Sequence, residues 1–226
     1  MKRNAIVSAI VVTVVAAAAV VVLTLLVRPS TVELAVADPQ RPPSPSSVSM
    51  DIVVREDSHR LSTAPAGSPV FVEFLDLECE SCRAAFPLIE AIRDEYQGKV
   101  EFVIRYFPID SHANAVNAAL AVEAAARQDK LEPMYQKMYQ TQAEWGEQTR
   151  SEAARFRGFA QELGLDLARY DTDVASAEVK GRVDKDHQDG LALGVQGTPT
   201  FFLDGEMIQP TSEDELRAML DEAIAR

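Results

Sequence analysis

The chain has 226 residues, 22 of them basic and 35 acidic, for a formal net charge of −13. So acidic a protein repels phosphate backbones, which argues against nucleic acid as a partner. Its two cysteines are too few for a disulfide framework.

The chain opens on an apolar run. From Asn4 to Val27 no residue is charged, and Val, Ala, Ile and Leu dominate. A helix of that length spans a bilayer core. Lys2 and Arg3 precede it, so the positive-inside rule leaves the N-terminus in the cytoplasm and everything after Arg28 outside. Ala35-Val36-Ala37 has the form of a signal-peptide cleavage site. It lies well beyond the apolar run, however, and that run exceeds an ordinary signal-peptide core. The expectation is a retained single-pass anchor at residues 1–27 in the cell membrane. Either reading places the rest where disulfides persist. Residues 28–48 read as a tether, because Pro29, Pro39, Pro42, Pro43 and Pro45 among serines favour a semi-rigid extended spacer. Residues 1–48 carry a net +2, so the remainder, 49–226, holds −15. That charge favours solubility and steers basic or unfolded partners toward the domain.

The folded domain begins near Met50. Ile52-Val53-Val54 predicts a short strand, and Arg60–Thr63 a weaker one. Pro69–Leu75, rich in β-branched and aromatic residues, predicts a buried central strand. A helix over Cys79–Tyr96 follows, with Phe86, Ile89 and Ile92 at helical spacing, Pro87 as a kink and Gly98 as its stop. Val100–Phe107 is a second strong strand. Ser111 is a plausible N-cap for an alanine-rich helix, and helical segments continue over 129–142, 150–163 and 166–189. Thr200–Leu203, the turn Asp204-Gly205 and Glu206–Ile208 form a hairpin. Ser212-x-x-Glu215 is a capping box that opens the last helix, ending near Arg226. The order is strand–helix–strand, then helices at about 111–190, then hairpin and helix. An α/β fold with one mixed sheet and a long all-helical insertion satisfies it.

The chemistry concentrates in Cys79-Glu80-Ser81-Cys82. A bridge across two residues closes so short a loop that it stabilises little. Cys79 follows a buried strand and opens a helix, where backbone N–H groups and the helix dipole lower a thiol's pKa. Cys79 is then the attacking thiol and Cys82, one turn inside, the resolving one. Zinc would need four ligands, and His59, His112 and His187 lack ligand spacing. No metal and no cofactor is expected. Gly190, Gly194 and Gly197 do not match a dinucleotide fingerprint. In Asp184–Gly190 the glycine comes one place late for a calcium loop, so the segment reads as a solvated helix end. Met134, Tyr135, Met138 and Tyr139 read as a core stripe, Trp145 as an anchor of the insert, and His112 as structural or solvent-exposed.

Three segments carry a resemblance: Val72-Glu-Phe-Leu-Asp-Leu-Glu-Cys-Glu-Ser-Cys82, Arg105-Tyr-Phe-Pro108 and Gly197-Thr-Pro-Thr-Phe-Phe202. From about residue 50 to the C-terminus the chain resembles the DsbA-like branch of the thioredoxin superfamily. The resemblance implies a thioredoxin-like fold with an inserted all-helical domain. It also implies a cis Pro199 beside the sulfurs, Thr198 presenting backbone to an extended substrate, and Glu73 exchanging protons with Cys82. A buried acid of raised pKa suits that last role. The implied activity is disulfide formation in cysteine-containing secreted or surface clients. A DsbB-like or VKOR-like membrane partner would reoxidise the pair. The chain departs from the family between the cysteines, where strongly oxidising members carry proline and histidine and this one has Glu80 and Ser81. Glu80 and Glu78 oppose a thiolate, so Cys79 should have a higher pKa than in those members. The potential should then be more reducing than their value of about −120 mV. The rival readings are a disulfide reductase or cytochrome c maturation factor, an isomerase without its dimerisation domain, and a non-catalytic thioredoxin-like binding module.

Overall fold

The computed structural model describes residues 50–226. The expected membrane span at 4–27 and the tether at 28–48 lie outside them. Among the described residues no helix is long and apolar enough to cross a membrane.

In chain order the elements are α1 (Met50–Val53), β1 (His59–Ser62), β2 (Val70–Leu75), α2 (Glu80–Glu95) and β3 (Glu101–Tyr106). Five helices follow, α3 (Ala115–Ala126), α4 (Leu131–Trp145), α5 (Ala153–Glu162), α6 (Leu167–Val174) and α7 (Ala177–Ala192). Then come β4 (Thr200–Leu203), β5 (Glu206–Ile208) and α8 (Glu213–Ile224). The sheet order is β1-β3-β2-β4-β5. β2 and β3 run parallel, which demands a crossover, and α2 supplies it. The other neighbours pair antiparallel. This is a thioredoxin-like α/β sheet with a helical insertion between β3 and β4.

β2 and β3 are buried over nearly their whole length, as central strands rich in Val, Ile and Phe must be. Alternation along β2 sends Val72 and Phe74 to one face, where Val103, Phe107, Leu193 and Phe202 pack on them. Phe71 faces the other way, against Ile89 and Ile92 of α2 and Leu216 and Leu220 of α8. Glu73 shares the face of Phe71 and Leu75, so it points beneath the crossover helix. Met134, Tyr135, Met138, Tyr139 and Trp145 all lie in the core that joins the insert to the end of the sheet.

Five sequence expectations change. Ile52 and Val53 belong to a short helix, not a strand; their carbonyls accept Nη1 of the buried Arg105 at 2.8 and 2.7 Å. Ser111 lies in a turn, and the helix starts behind Asn114. The stretch 166–189 is two helices, with Ser176 Oγ accepting the N–H of Val179 at 3.1 Å to open the second. Asp186 and Asp189 are not a solvated helix end, since each binds the Arg105 guanidinium at 2.5 Å in the interior. Asp186 also pairs with Arg182 and Asp189 with Arg55, so the three are part of a larger ion-pair network. At the last helix, Ser212 Oγ accepts the N–H of Glu215 at 3.2 Å, while the Glu215 carboxylate turns to Thr211 N and Oγ1. The capping box therefore closes one residue early.

Candidate active site

The chain leaves β2 at Leu75 and turns through Asp76, Leu77 and Glu78 into α2. Cys79 is the residue just before the helix, in extended conformation (φ −67°, ψ 124°). Its sulfur therefore sits at the helix N-terminus, where the first N–H groups have no intrahelical acceptor. Cys79 is 7% exposed and Cys82 1%, and both are free thiols. The Cys79 thiol donates to the Thr198 carbonyl at 3.3 Å. The Thr198–Pro199 peptide is cis, as the resemblance implies.

Three ionisable groups here are pushed apart. The Cys79 thiol is lowered to about 5, chiefly by a hydrogen bond from Cys82. Burial opposes this, and the N–H groups of Cys82 and Ser81 add to it. Cys82 is pushed far up, first by burial, then by donating to Cys79 and by the charges of Glu73 and Cys79. Glu73, 3% exposed, is raised to about 8 by burial and by the charges of Glu90 and Cys79. At neutral pH the site thus holds a thiolate, a protonated thiol and a neutral carboxylic acid. Divergent pKa values of this kind divide acid from base.

Asp76 organises the turn. The buried carboxylate accepts the N–H groups of Glu78 (2.7 Å) and Ile109 (2.9 Å) and meets His112 Nδ1 at 2.7 Å. The Asp76 carbonyl accepts the Cys79 N–H at 3.1 Å and the Tyr139 hydroxyl at 3.3 Å. From the insert, Gln142 Nε2 donates to the carbonyls of Leu77 (2.7 Å) and Cys79 (3.0 Å). Glu78, expected to oppose the thiolate, instead turns its carboxylate to the N–H groups of Asn114 (2.6 Å) and Glu147 (3.0 Å). Glu80 is exposed. Sequence reasoning passed over Asp76 and Gln142 and read His112 as structural or solvent-exposed. Their partners lie 2 to 65 residues away, and no local pattern marks them.

A poised thiolate beside a thiol that stays protonated suits the exchange of a disulfide for a dithiol. The pair sits on a thioredoxin-like sheet interrupted by a helical insert. Known proteins place it further. A family model described as Thioredoxin matches residues 60–222, and the chain belongs to that family. A thioredoxin-like oxidoreductase from Silicibacter pomeroyi superposes with a TM-score of 0.66 at 24% identity, covering 78% of this chain and 98% of its own. The thiol-disulfide exchange protein α-DsbA2 from Wolbachia pipientis gives a TM-score of 0.65 at 21% identity, covering 79% and 94%. Among curated proteins, the Na(+)/H(+) antiporter NhaA 1 of Mycobacterium sp. (strain KMS) is 31% identical over 170 residues, 73% of this chain. That match covers only 26% of the antiporter, so the chain spans about a quarter of that relative. The ion exchange in its name is a property of that protein.

Proposed function

We propose that this protein forms disulfides in secreted or surface proteins outside the cytoplasm, with Cys79 exchanging with clients and Cys82 resolving. The observation that carries the reading is the pair of free thiols at the α2 N-terminus, with Cys79 Sγ against the cis Thr198–Pro199 peptide; the lowered pKa of Cys79 and the raised one of Cys82 agree with it. A stabilised thiolate favours the reduced pair and leaves readily, so the oxidised pair drives electrons out of clients.

A client thiolate attacks Cys79 Sγ of the Cys79–Cys82 bond. That bond breaks, a client–Cys79 disulfide forms, and Cys82 takes the electron pair. Glu73, neutral at this pH, gives Cys82 its proton. The client's second thiolate then attacks its own sulfur in the mixed disulfide, and Cys79 leaves as thiolate. The client has lost two electrons and the pair has gained them. A membrane quinone-linked partner of DsbB-like or VKOR-like kind accepts them and restores the bond, while Glu73 recovers a proton. Thr198 and Pro199 border the attacked sulfur and would hold the client backbone. The charge-free run at 4–27 supports a cell-membrane anchor with the catalytic domain outside.

Equilibration with a glutathione buffer tests the direction of flow. The expected potential lies between about −120 mV and about −270 mV, the values of a strong oxidant and of thioredoxin. A value at or below the latter would make the protein a reductase. In Cys82→Ser the internal disulfide cannot form, and when the Cys79 thiolate attacks a client disulfide, releasing one client sulfur as thiolate, Cys82 is not there to resolve the product, so clients should accumulate on Cys79 as mixed disulfides.

A further inference from the structure

The motif that carries the thiol chemistry has no cation of its own, since Glu80 and Ser81 stand between the cysteines. A histidine is tied to the turn that carries the motif from elsewhere in the chain. His112 lies on the segment between β3 and the helical insert, and its Nδ1 is 2.7 Å from Oδ2 of Asp76. Asp76 is 1% exposed, and a carboxylate so buried needs a charged or hydrogen-bonding partner. Two backbone N–H groups meet part of that need. Among the described residues His112 is the sole ionisable side chain hydrogen-bonded to the Asp76 carboxylate. The same Asp76 binds the Cys79 N–H through its carbonyl, so one residue fixes both the imidazole and the first residue of the motif. Nε2 makes no hydrogen bond among the described residues, and the side chain is 30% exposed.

We propose that His112, held by Asp76, is a positioning residue that supplies the Cys79 sulfur with the positive charge its own motif lacks. The proposal rests on the exchange reaction above and deepens it. When the client's second thiolate displaces Cys79, the client–Cys79 bond breaks and its electron pair stays on Cys79 Sγ. An imidazolium nearby favours that departure, and it gives up no proton or electron. Burial works against the charge on His112, but the bond to Asp76 and the negative charges of Asp76, Cys79 and Glu78 outweigh it and raise its pKa. These groups all come from the turn between β2 and α2; Asp110, exposed, is two residues away on His112's own segment.

Coupling between two titrating groups is reciprocal, so the test needs no substitution. The chain has three histidines, and NMR can follow His112 through a pH titration of the full chain in each redox state. Its pKa should be higher in the reduced protein, where the thiolate is present, than in the disulfide form. Coincident values would overturn the proposal. His112→Gln keeps a hydrogen-bond donor for Asp76 without the charge. In it, the thiolate ultraviolet absorbance should titrate at higher pH than in wild type. Its equilibrium with glutathione should shift toward the disulfide by up to tenfold, which is about 30 mV more reducing. An unchanged equilibrium constant would overturn the proposal again. If wild type exchanges with glutathione while His112 is uncoupled, only the role of His112 falls. If wild type does not exchange at all, the exchange function itself falls.

Discussion

Glu73 is a carboxyl group where a β-strand would ordinarily place Val or Ile, and its burial sets a pH dependence on stability. Its folded pKa of about 8 stands above the ordinary 4.5. Below pH 4.5 both folded and unfolded chains hold the proton, and the neutral acid is tolerated in the interior. Between 4.5 and 8 the unfolded chain releases it while the folded one keeps it. Stability therefore falls as pH rises through that window, by up to about 1.4 kcal/mol per pH unit, and levels off above it. Glu73→Gln should abolish this slope, so the variant gains on the order of a few kcal/mol over wild type by pH 8. Urea unfolding of the disulfide-bonded form at several pH values reads it, because neither thiol then titrates. A parallel slope in both proteins would refute the assignment. The same variant lacks the proton donor for Cys82 and should exchange roughly a hundredfold more slowly, the low end for a positioned acid or base. Much of this site was legible in the sequence. Cys79, Cys82 and Pro199 stood out by spacing and by resemblance, and Glu73 by a carboxylate inside an apolar strand. His112 and Asp76 did not, because a hydrogen bond across 36 residues leaves no periodicity to read.

Elements show the same division between local and distant causes. β2, β3 and the β4–β5 hairpin were legible, since β-branched runs and an Asp-Gly turn are local signals. α1 was not. Ile52-Val53-Val54 has strand propensity, yet Arg105 needs acceptors for its guanidinium and takes them from the carbonyls of that helical turn. Tertiary demand overrode propensity. α7 was read as the tail of a longer helix, because the break at Ser176 is marked by a single capping side chain. The close approach of α7 to the sheet hangs on Gly190. A Cβ there would lie 2.6 and 2.8 Å from Phe107 ring atoms and 3.1 Å from Phe74. Both rings are in the core and have little room to yield. Gly190→Ala gains helix propensity of about 1 kcal/mol, but overpacking costs about 1–3 kcal/mol or more. The net should be destabilising by about 1–2 kcal/mol, seen as a lower urea midpoint at unchanged slope. A variant as stable as wild type would mean that α7 shifts freely on the sheet.

At the scale of the whole molecule, two electrostatic effects of opposite sign meet at one sulfur. The site is locally favourable to an anion, through the α2 N-terminus and the hydrogen bond from Cys82. The domain around it carries −15 over residues 49–226, a field that repels anions before contact. The two separate by range. Hydrogen bonds and charges next to the sulfur act at contact and are little affected by salt, while the net charge acts over a Debye length of about 10 Å at 0.1 M. Salt should therefore change how fast clients arrive and leave the Cys79 pKa in place. Cysteine peptides flanked by lysines should react faster with the oxidised protein than peptides flanked by glutamates, by roughly tenfold at low ionic strength. The gap should close as salt approaches 1 M, where the Debye length is about 3 Å. Stopped-flow rates for the two peptides, beside a thiolate titration at each salt concentration, separate the effects. Equal rates at low salt would mean that the local anion-favouring groups outweigh the domain's charge even at encounter, and a Cys79 pKa that moved with salt would mean that the distant charges reach the sulfur.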